Sequence, residues 1–124
     1  MARVVSLRIL TALVLALSAL PAAAETFTRI GDRDTFLQTV QGRELRLAMF
    51  GVTLEVQPDG QIVGEAMGWP LTGRWDWRDG YFCREMDWSG YEITANCQLV
   101  EANGSSIRFV VDRGAGRAAS FRLR

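Results

Sequence analysis

Apolar and polar residues alternate along the chain from Arg43 to its end, and turn signals interrupt the alternation about every ten residues. A period of two is typical of strands with one buried face. In Leu71–Trp77, one face carries Leu71, Trp75 and Trp77. In Ile93–Leu99, one face carries Ile93, Ala95, Cys97 and Leu99. The pattern predicts an all-β domain.

One segment departs from this alternation and predicts a short helix over Asp32–Thr39. Asp32 or Asp34 can cap its first turn, and Gly42 can end it. Its apolar face consists of Phe36, Leu37 and Val40.

The first 24 residues predict a leader. Arg3 and Arg8 precede an apolar run that is too short to cross a bilayer, which takes roughly 20 residues. Pro21 and three alanines then form a signal-peptidase site. We expect a signal peptide over Met1–Ala24, export to the periplasm or the medium, and one mature domain over Glu25–Arg124 without a membrane span. An uncleaved membrane anchor is the alternative.

Export determines how the two cysteines, Cys83 and Cys97, are interpreted. Cysteine pairs persist as disulfides in oxidising compartments, so we expect Cys83 and Cys97 to be bonded. Two thiols in a chain without histidine make neither an ordinary zinc site nor an activated cysteine nucleophile.

Three turns share the form x-(Asp/Asn)-Gly, with the glycine at Gly60, Gly80 and Gly104. Each fits either a two-residue turn or a three-residue loop with a left-handed glycine. Since Cys97 falls on the apolar face, the disulfide favours the three-residue form at Arg78–Gly80, which pairs Trp75 with Cys83. The same form elsewhere pairs Val56 with Ile62 and Leu99 with Ile107.

Between Ala66 and Leu71 the inward positions change from even-numbered to odd-numbered residues. A two-residue Gly68-Trp69 turn produces this change. It places Gly64 opposite Gly73 and Ile62 opposite Trp75. The glycine pair indicates either room for a ligand or a tight bend of the sheet.

The remaining strands are Arg43–Met49, Val52–Val56, Ile107–Val111 and Ala119–Leu123, whose inward side chains include Leu45, Leu47, Phe109 and Phe121. Together, the predicted strands form an eight-stranded antiparallel up-and-down meander, which one short N-terminal helix precedes. A sheet of that length with one apolar face must close or fold over. We expect a small barrel, lipocalin-like in outline, with the helix at one end. A two-sheet β-sandwich is the alternative.

Composition excludes several kinds of chemistry. All 14 basic residues are arginine, and the chain has neither lysine nor histidine. The commonest general base, Schiff-base chemistry and the P-loop lysine are therefore missing. Without Arg3 and Arg8, 12 arginines face 14 acidic residues, so nothing indicates a nucleic-acid partner. The segment Gly114–Ala119 matches the G-x-G-x-x-A pattern of dinucleotide-binding sites. Only five residues of the sequence follow it, which is too few for the helix and second strand that such a site needs. We expect no cofactor.

The predicted inward face offers candidate ligand-facing residues, which are Trp75, Trp77, Tyr81, Glu85 and Phe109. The interior is either a packed core or a shallow apolar cavity. Glu85 is the one inward charge that parity places within a strand, and Asp87 lies two positions further towards the hairpin end. Either the strand ends at Glu85 and the carboxylate reaches solvent at the barrel rim, or the carboxylate belongs to a functional site. In the second case Glu85 and Asp87 would form the carboxylate pair of a hydrolase.

Two further tryptophans, Trp69 and Trp88, fall at predicted turns. Each either contacts a partner, a glycan or a membrane surface, or folds back over a barrel end.

The segments Thr72–Arg84, Asn96-Cys97-Gln98, Arg108-Phe109 and Asp112–Gly116 resemble a family of short exported bacterial proteins with a W-x-W-x-x-G-x-x-C-R core. Its members are often labelled dihydrodipicolinate reductase. That activity implies a Rossmann domain and a His/Lys pair, whereas this chain has no βαβ pattern, His or Lys. The resemblance therefore implies no catalytic residue here. We expect a non-catalytic module that binds a small apolar ligand or a protein partner.

Overall fold

The computed structural model describes residues 26–124 together with Ala16 and Ser18. The leader predicted over residues 1–24 therefore lies outside the described residues, apart from those two, and stays a prediction. One helix, α1, spans Arg33–Val40. Nine strands are β1 (Thr28–Ile30), β2 (Leu45–Leu47), β3 (Val52–Val56), β4 (Gln61–Ala66), β5 (Trp69–Arg78), β6 (Tyr81–Trp88), β7 (Tyr91–Ala102), β8 (Ser106–Val110) and β9 (Ala118–Leu123).

Strands β2 to β9 follow one another as antiparallel neighbours, and β9 pairs with β2 to close an eight-stranded barrel. The predicted barrel is confirmed. Strand β1 is an addition that the sequence did not indicate: it pairs with β7 beyond the start of β6, with Ile30 opposite Val100. No helix among the described residues has the length and apolarity needed to cross a membrane.

Helix α1 closes one end of the barrel. Asp32 is its N-cap and accepts a 2.8 Å hydrogen bond from the Thr35 amide, as the sequence predicted. Phe36 and Val40 are fully buried on its inner face. Arg33 fixes the helix to the β3–β4 hairpin by donating to the Pro58 carbonyl at 2.9 Å.

The β3–β4 and β5–β6 hairpins have turns of different length. The three-residue Pro58–Gly60 loop is confirmed, because Val56 lies opposite Ile62. The β5–β6 prediction is wrong: Arg78 pairs with Tyr81 across a two-residue turn, in which Asp79 and Gly80 both have positive φ. This is the type I′ geometry that matches the twist of the strands.

The β7–β8 prediction is wrong as well, since Ala102 lies opposite Ile107 and Leu99 opposite Val110. The Asn103 side chain sets this turn by accepting hydrogen bonds from the Ser105 and Ser106 amides.

The two-residue β5–β6 turn inverts the predicted faces of β6, and a β-bulge in β7 inverts the predicted face of that strand beyond the bulge. Arg84 pairs with Asn96 and Met86 with Ile93, so two residues of β7 oppose Glu85. Ile93 packs against the core as predicted. Beyond the bulge, however, Cys97 and Leu99 face outward. A one-residue shift exchanges the two faces of a strand.

The β4–β5 hairpin turns at Met67-Gly68, two register positions from the prediction. Ile62 and Trp75 both face inward as expected, but Gly64 lies opposite Leu71 and Gly73 opposite Ile62. A Cβ at Gly64 would come within 2.0 Å of the Thr53 carbonyl oxygen, and one at Gly73 within 2.5 Å of the Glu85 carbonyl oxygen. The two glycines therefore occupy tight bends of the barrel wall.

Candidate functional site

The barrel interior is packed at the helix end. The Phe36 ring, which has no exposed surface, lies 5.1 Å from Phe82, 5.2 Å from Trp77 and 5.3 Å from Trp75 between ring centroids. Trp75 donates its indole N–H to the Gln57 carbonyl at 2.8 Å. The Trp77 Nε1 is buried and has no hydrogen-bond partner among the described residues. This end therefore behaves as a conventional aromatic core.

The interior is hollow beyond this aromatic core. A cavity of about 230 Å³ lies between the long strand β6 and the short strands β8 and β9. Strands β5, β6 and β7 have ten, eight and twelve residues, whereas β2, β8 and β9 have three, five and six, so the wall is low on the β8–β9 side. The lining side chains are Leu45, Leu54, Val56, Ile62, Phe82, Arg84, Met86, Gln98, Phe109, Val111, Ala119 and Phe121.

Two of the residues that line this cavity have polar side chains, Arg84 and Gln98. They are diagonal neighbours on the inward face, because Arg84 lies opposite Asn96 and Gln98 opposite Phe82. Diagonal positions on a sheet are about 7–8 Å apart, within reach of long side chains.

Arg84 is half-buried and donates one hydrogen bond from Nη1 to the Thr94 carbonyl at 2.8 Å. Burial lowers the pKa of its guanidinium, although arginine is a strong enough base to remain protonated in proteins. Within residues 26–124 it forms no ion pair.

Gln98 is the buried polar residue of the described chain, with 6% of its surface exposed. Its side-chain amide forms no hydrogen bond with another described residue. Its amide atoms are not fully enclosed, since Trp77 Nε1 is the one enclosed side-chain polar atom without a partner among the described residues, and they are therefore open to a ligand group.

Of the five predicted ligand-facing residues, three face inward. Trp75 and Trp77 belong to the packed end and do not line the cavity, whereas Phe109 does. The predicted interior position of these three residues is therefore confirmed by their strand register.

Tyr81 lies on the outer surface, contrary to the prediction, since its neighbour Phe82 faces inward. Its ring lies between Arg29 and Arg113, whose guanidinium carbons are 5.2 and 5.5 Å from the ring centroid. These are cation–π contacts.

The disulfide joins Cys83 to Cys97, as predicted, but on the outer surface of the barrel. The segment 111–117 lies over this part of the outer surface, since Gly114 approaches Leu99 and Arg113 lies over the Tyr81 ring. Cys83 is only 3% exposed although it points away from the cavity.

Glu85 and Asp87 also lie on the outer surface and are exposed. Glu85 is opposite Arg74, and Asp87 is opposite Thr72 on one side and Glu92 on the other. The prediction that Glu85 faces inward is wrong, because the two-residue β5–β6 turn places Arg84 on the inward face and therefore Cys83 and Glu85 on the outer face. A carboxylate pair within the barrel was the premise of the hydrolase hypothesis, and this premise is lost.

The end of the barrel opposite α1 carries an apolar rim, which we define as the exposed side chains of Met49, Phe50, Met67, Trp69 and Tyr91. Hydrogen bonds connect its segments, since the Met67 amide donates to the Phe50 carbonyl and the Ser89 hydroxyl to the Pro70 carbonyl. Trp88 instead packs against the core and donates its indole N–H to the Ala66 carbonyl at 3.0 Å. Of the two turn tryptophans, Trp69 is therefore exposed and Trp88 folds back.

No family model, curated protein or solved structure matches this chain. The geometry of the barrel itself is therefore what supports a function. In the part of the chain that the structure describes, no group of three or more His, Cys, Asp or Glu side chains is placed to hold a metal ion.

Arg84 and Gln98 are the candidate site residues that the sequence analysis missed. A signal for Arg84 was present in the Asp79-Gly80 dipeptide, which strongly favours a two-residue hairpin turn. That turn pairs Trp75 with Arg84 and so points the arginine inward. No comparable signal marks the bulge that brings Gln98 inward.

Proposed function

We propose that this protein is an exported, non-catalytic binding module that takes up a small, mainly apolar ligand in the barrel cavity. The observation that carries the proposal is the cavity of about 230 Å³, which side chains leave unfilled in an otherwise packed barrel. Most eight-stranded barrels of this width are either filled by side chains or hold one small ligand.

The size of the cavity limits the ligand. An apolar cavity of about 150 Å³ takes up benzene, so by proportion this cavity accommodates about nine non-hydrogen atoms. A single aromatic ring with a short substituent, or a short aliphatic chain, has this size. Aliphatic and aromatic side chains form ten of the twelve lining positions, which favours apolar contact as the main source of affinity.

The low wall formed by β8 and β9 supports ligand access from that side. Val111 is the first residue after β8, and Ala119 is the second residue of β9, so the cavity extends to the end of the β8–β9 hairpin. Helix α1 blocks the opposite end through Phe36.

The proposal is tested by titrating the protein with benzene and following backbone amide shifts by NMR. We expect saturable shifts that concentrate at cavity-lining residues such as Phe109 and Ala119. The Ala119→Leu variant fills part of the cavity and should abolish or strongly weaken these shifts.

Ala118→Leu is the matched control, because Ala118 is the exposed neighbour of Ala119 on the same strand. It adds the same atoms to the outer surface and should leave the titration unchanged. Absence of saturable shifts in the wild type, or equal effects of the two substitutions, would overturn the proposal.

A further inference from the structure

An unpaired positive charge distinguishes this cavity from an apolar pocket. Among its lining residues, Arg84 alone carries a charge. A guanidinium has five N–H donors, and the described residues engage Arg84 through a single side-chain hydrogen bond, to the Thr94 carbonyl. Partly buried charges are normally paired, because loss of hydration is otherwise uncompensated.

Gln98 adds a second donor to the same wall. Its side chain lines the cavity, its amide has no hydrogen-bond partner among the described residues, and its strand position is diagonal to Arg84. A ligand group that accepts hydrogen bonds from both side chains would satisfy the guanidinium and the amide together. Free polar groups that converge on an apolar cavity are the usual source of ligand orientation.

The apolar lining around Arg84 and Gln98 favours a carboxylate over larger oxyanions. Arginine binds the two oxygens of a carboxylate through parallel N–H···O bonds, and this pairing is among the strongest hydrogen-bonding arrangements in proteins. A phosphate or sulfate has more oxygens and more charge to desolvate, and ten of the twelve lining residues are apolar and offer it no side-chain donor. The cavity volume leaves room for an apolar body of about six or seven carbon atoms behind the carboxylate.

We propose that the barrel selects small apolar monocarboxylates, with Arg84 and Gln98 binding the carboxylate and the apolar wall binding the rest. This inference rests on the proposed function and specifies its ligand class. It is distinct from the Glu85/Asp87 hypothesis, since it assigns a binding role to the inward face of β6 and no reaction.

Benzoate and benzyl alcohol form a suitable pair of probes, since both carry one ring and differ in the charged head group. Calorimetric titration of the wild-type protein should show benzoate binding about 10- to 100-fold more tightly than benzyl alcohol, as expected for a hydrogen-bonded charge pair. Benzylamine, with a positive head group of similar size, should bind more weakly than either.

The Arg84→Met variant should lose this preference, so that benzoate and benzyl alcohol bind with similar affinity. Arg74→Met is the matched control, because Arg74 is an exposed arginine on the outer surface of neighbouring β5, and it should retain the preference. Gln98→Leu should reduce the ratio of benzoate affinity to benzyl alcohol affinity. This second variant tests the site independently if Arg84→Met does not fold.

The outcomes separate the two proposals. Equal affinities for benzoate and benzyl alcohol in the wild type, or an unchanged preference in a folded Arg84→Met variant, would overturn the carboxylate inference and leave the apolar-ligand proposal standing. Failure of benzene, benzyl alcohol and benzoate alike would overturn both. Loss of the preference in Arg84→Met, but not in Arg74→Met, supports both.

Discussion

Replacement of Phe36 by alanine is expected to be the most destabilising single truncation at the helix end of the barrel. The Phe36 ring is completely buried and lies within 5.1–5.3 Å of three aromatic rings, with the Phe109 centroid at 6.4 Å. No neighbouring backbone can fill the space, because the helix is held by its N-cap at Asp32 and by Arg33 on the Pro58 carbonyl.

The magnitude follows from the burial. Phenylalanine-to-alanine substitutions in cores cost about 3–5 kcal/mol of unfolding free energy. Aromatic pairs contribute about 0.5–1.5 kcal/mol each beyond their buried area, which places Phe36→Ala toward the upper end of that range. A domain of about 100 residues has a total stability of about 5–15 kcal/mol, so the loss is a large part of the total. Phe36→Leu retains much of the volume and should cost about 1–2 kcal/mol.

Urea unfolding followed by far-UV circular dichroism measures these differences without depending on the tryptophans near the mutated position. Gln38→Ala is the control, because Gln38 is an exposed residue of the same helix and should change stability by less than about 0.5 kcal/mol. A loss of unfolding free energy below about 1.5 kcal/mol for Phe36→Ala would contradict the close packing of α1 against the aromatic core. So would an equal loss for Gln38→Ala.

Two further predictions concern the outer surface and the helix cap. Replacement of Cys83 and Cys97 by alanine opens a loop with a sequence separation of 14 and should cost about 3 kcal/mol in chemical unfolding, yet leave benzene binding unchanged, because the disulfide faces away from the cavity. Loss of benzene binding in the folded double variant would contradict this placement. The hydrogen bond from the Thr35 amide, followed by that from its hydroxyl, lowers the pKa of Asp32 below its usual 3.8. The stabilisation that this carboxylate provides is therefore complete above pH 3.8 and is lost as the pH falls through the lower, folded-state pKa. Thermal melts should accordingly show a smaller acid-induced decrease of Tm below pH 3.8 in Asp32→Asn than in the wild type, and identical profiles would exclude this contribution.

Local patterns were sufficient to predict the barrel. Period-two alternation identified the strands, and the inward positions of Trp75, Phe109 and Phe121 follow from it directly. Helix α1 was predictable because capping and the apolar face of Phe36 and Val40 are encoded within a few residues. Each of these features depends on neighbours in sequence, and closure of the barrel then follows from the need to bury one face of a long sheet.

Strand register was harder to predict from the sequence, because it depends on β-bulges and turn types that require no particular residue. Thr94 and Ala95, the residues of the β7 bulge, are ordinary strand residues. The disulfide was also a misleading guide. It requires Cys83 and Cys97 to share a face, but it does not require that face to be the interior, and Cys83 is 3% exposed on the outer surface.

The bulge also gives the cavity its second polar side chain. In a regular β6–β7 ladder with Ile93 inward, Cys97 would face the interior and Gln98 would face solvent, whereas Arg84 would stay inward because it pairs with Trp75 across the two-residue β5–β6 turn. The additional β7 residue turns Gln98 inward, and the Thr94 carbonyl within the bulge accepts the hydrogen bond from Arg84. The remaining guanidinium donors are left free for an anion, so the proposed carboxylate site depends on the Asp79-Gly80 turn for Arg84 and on the bulge for Gln98.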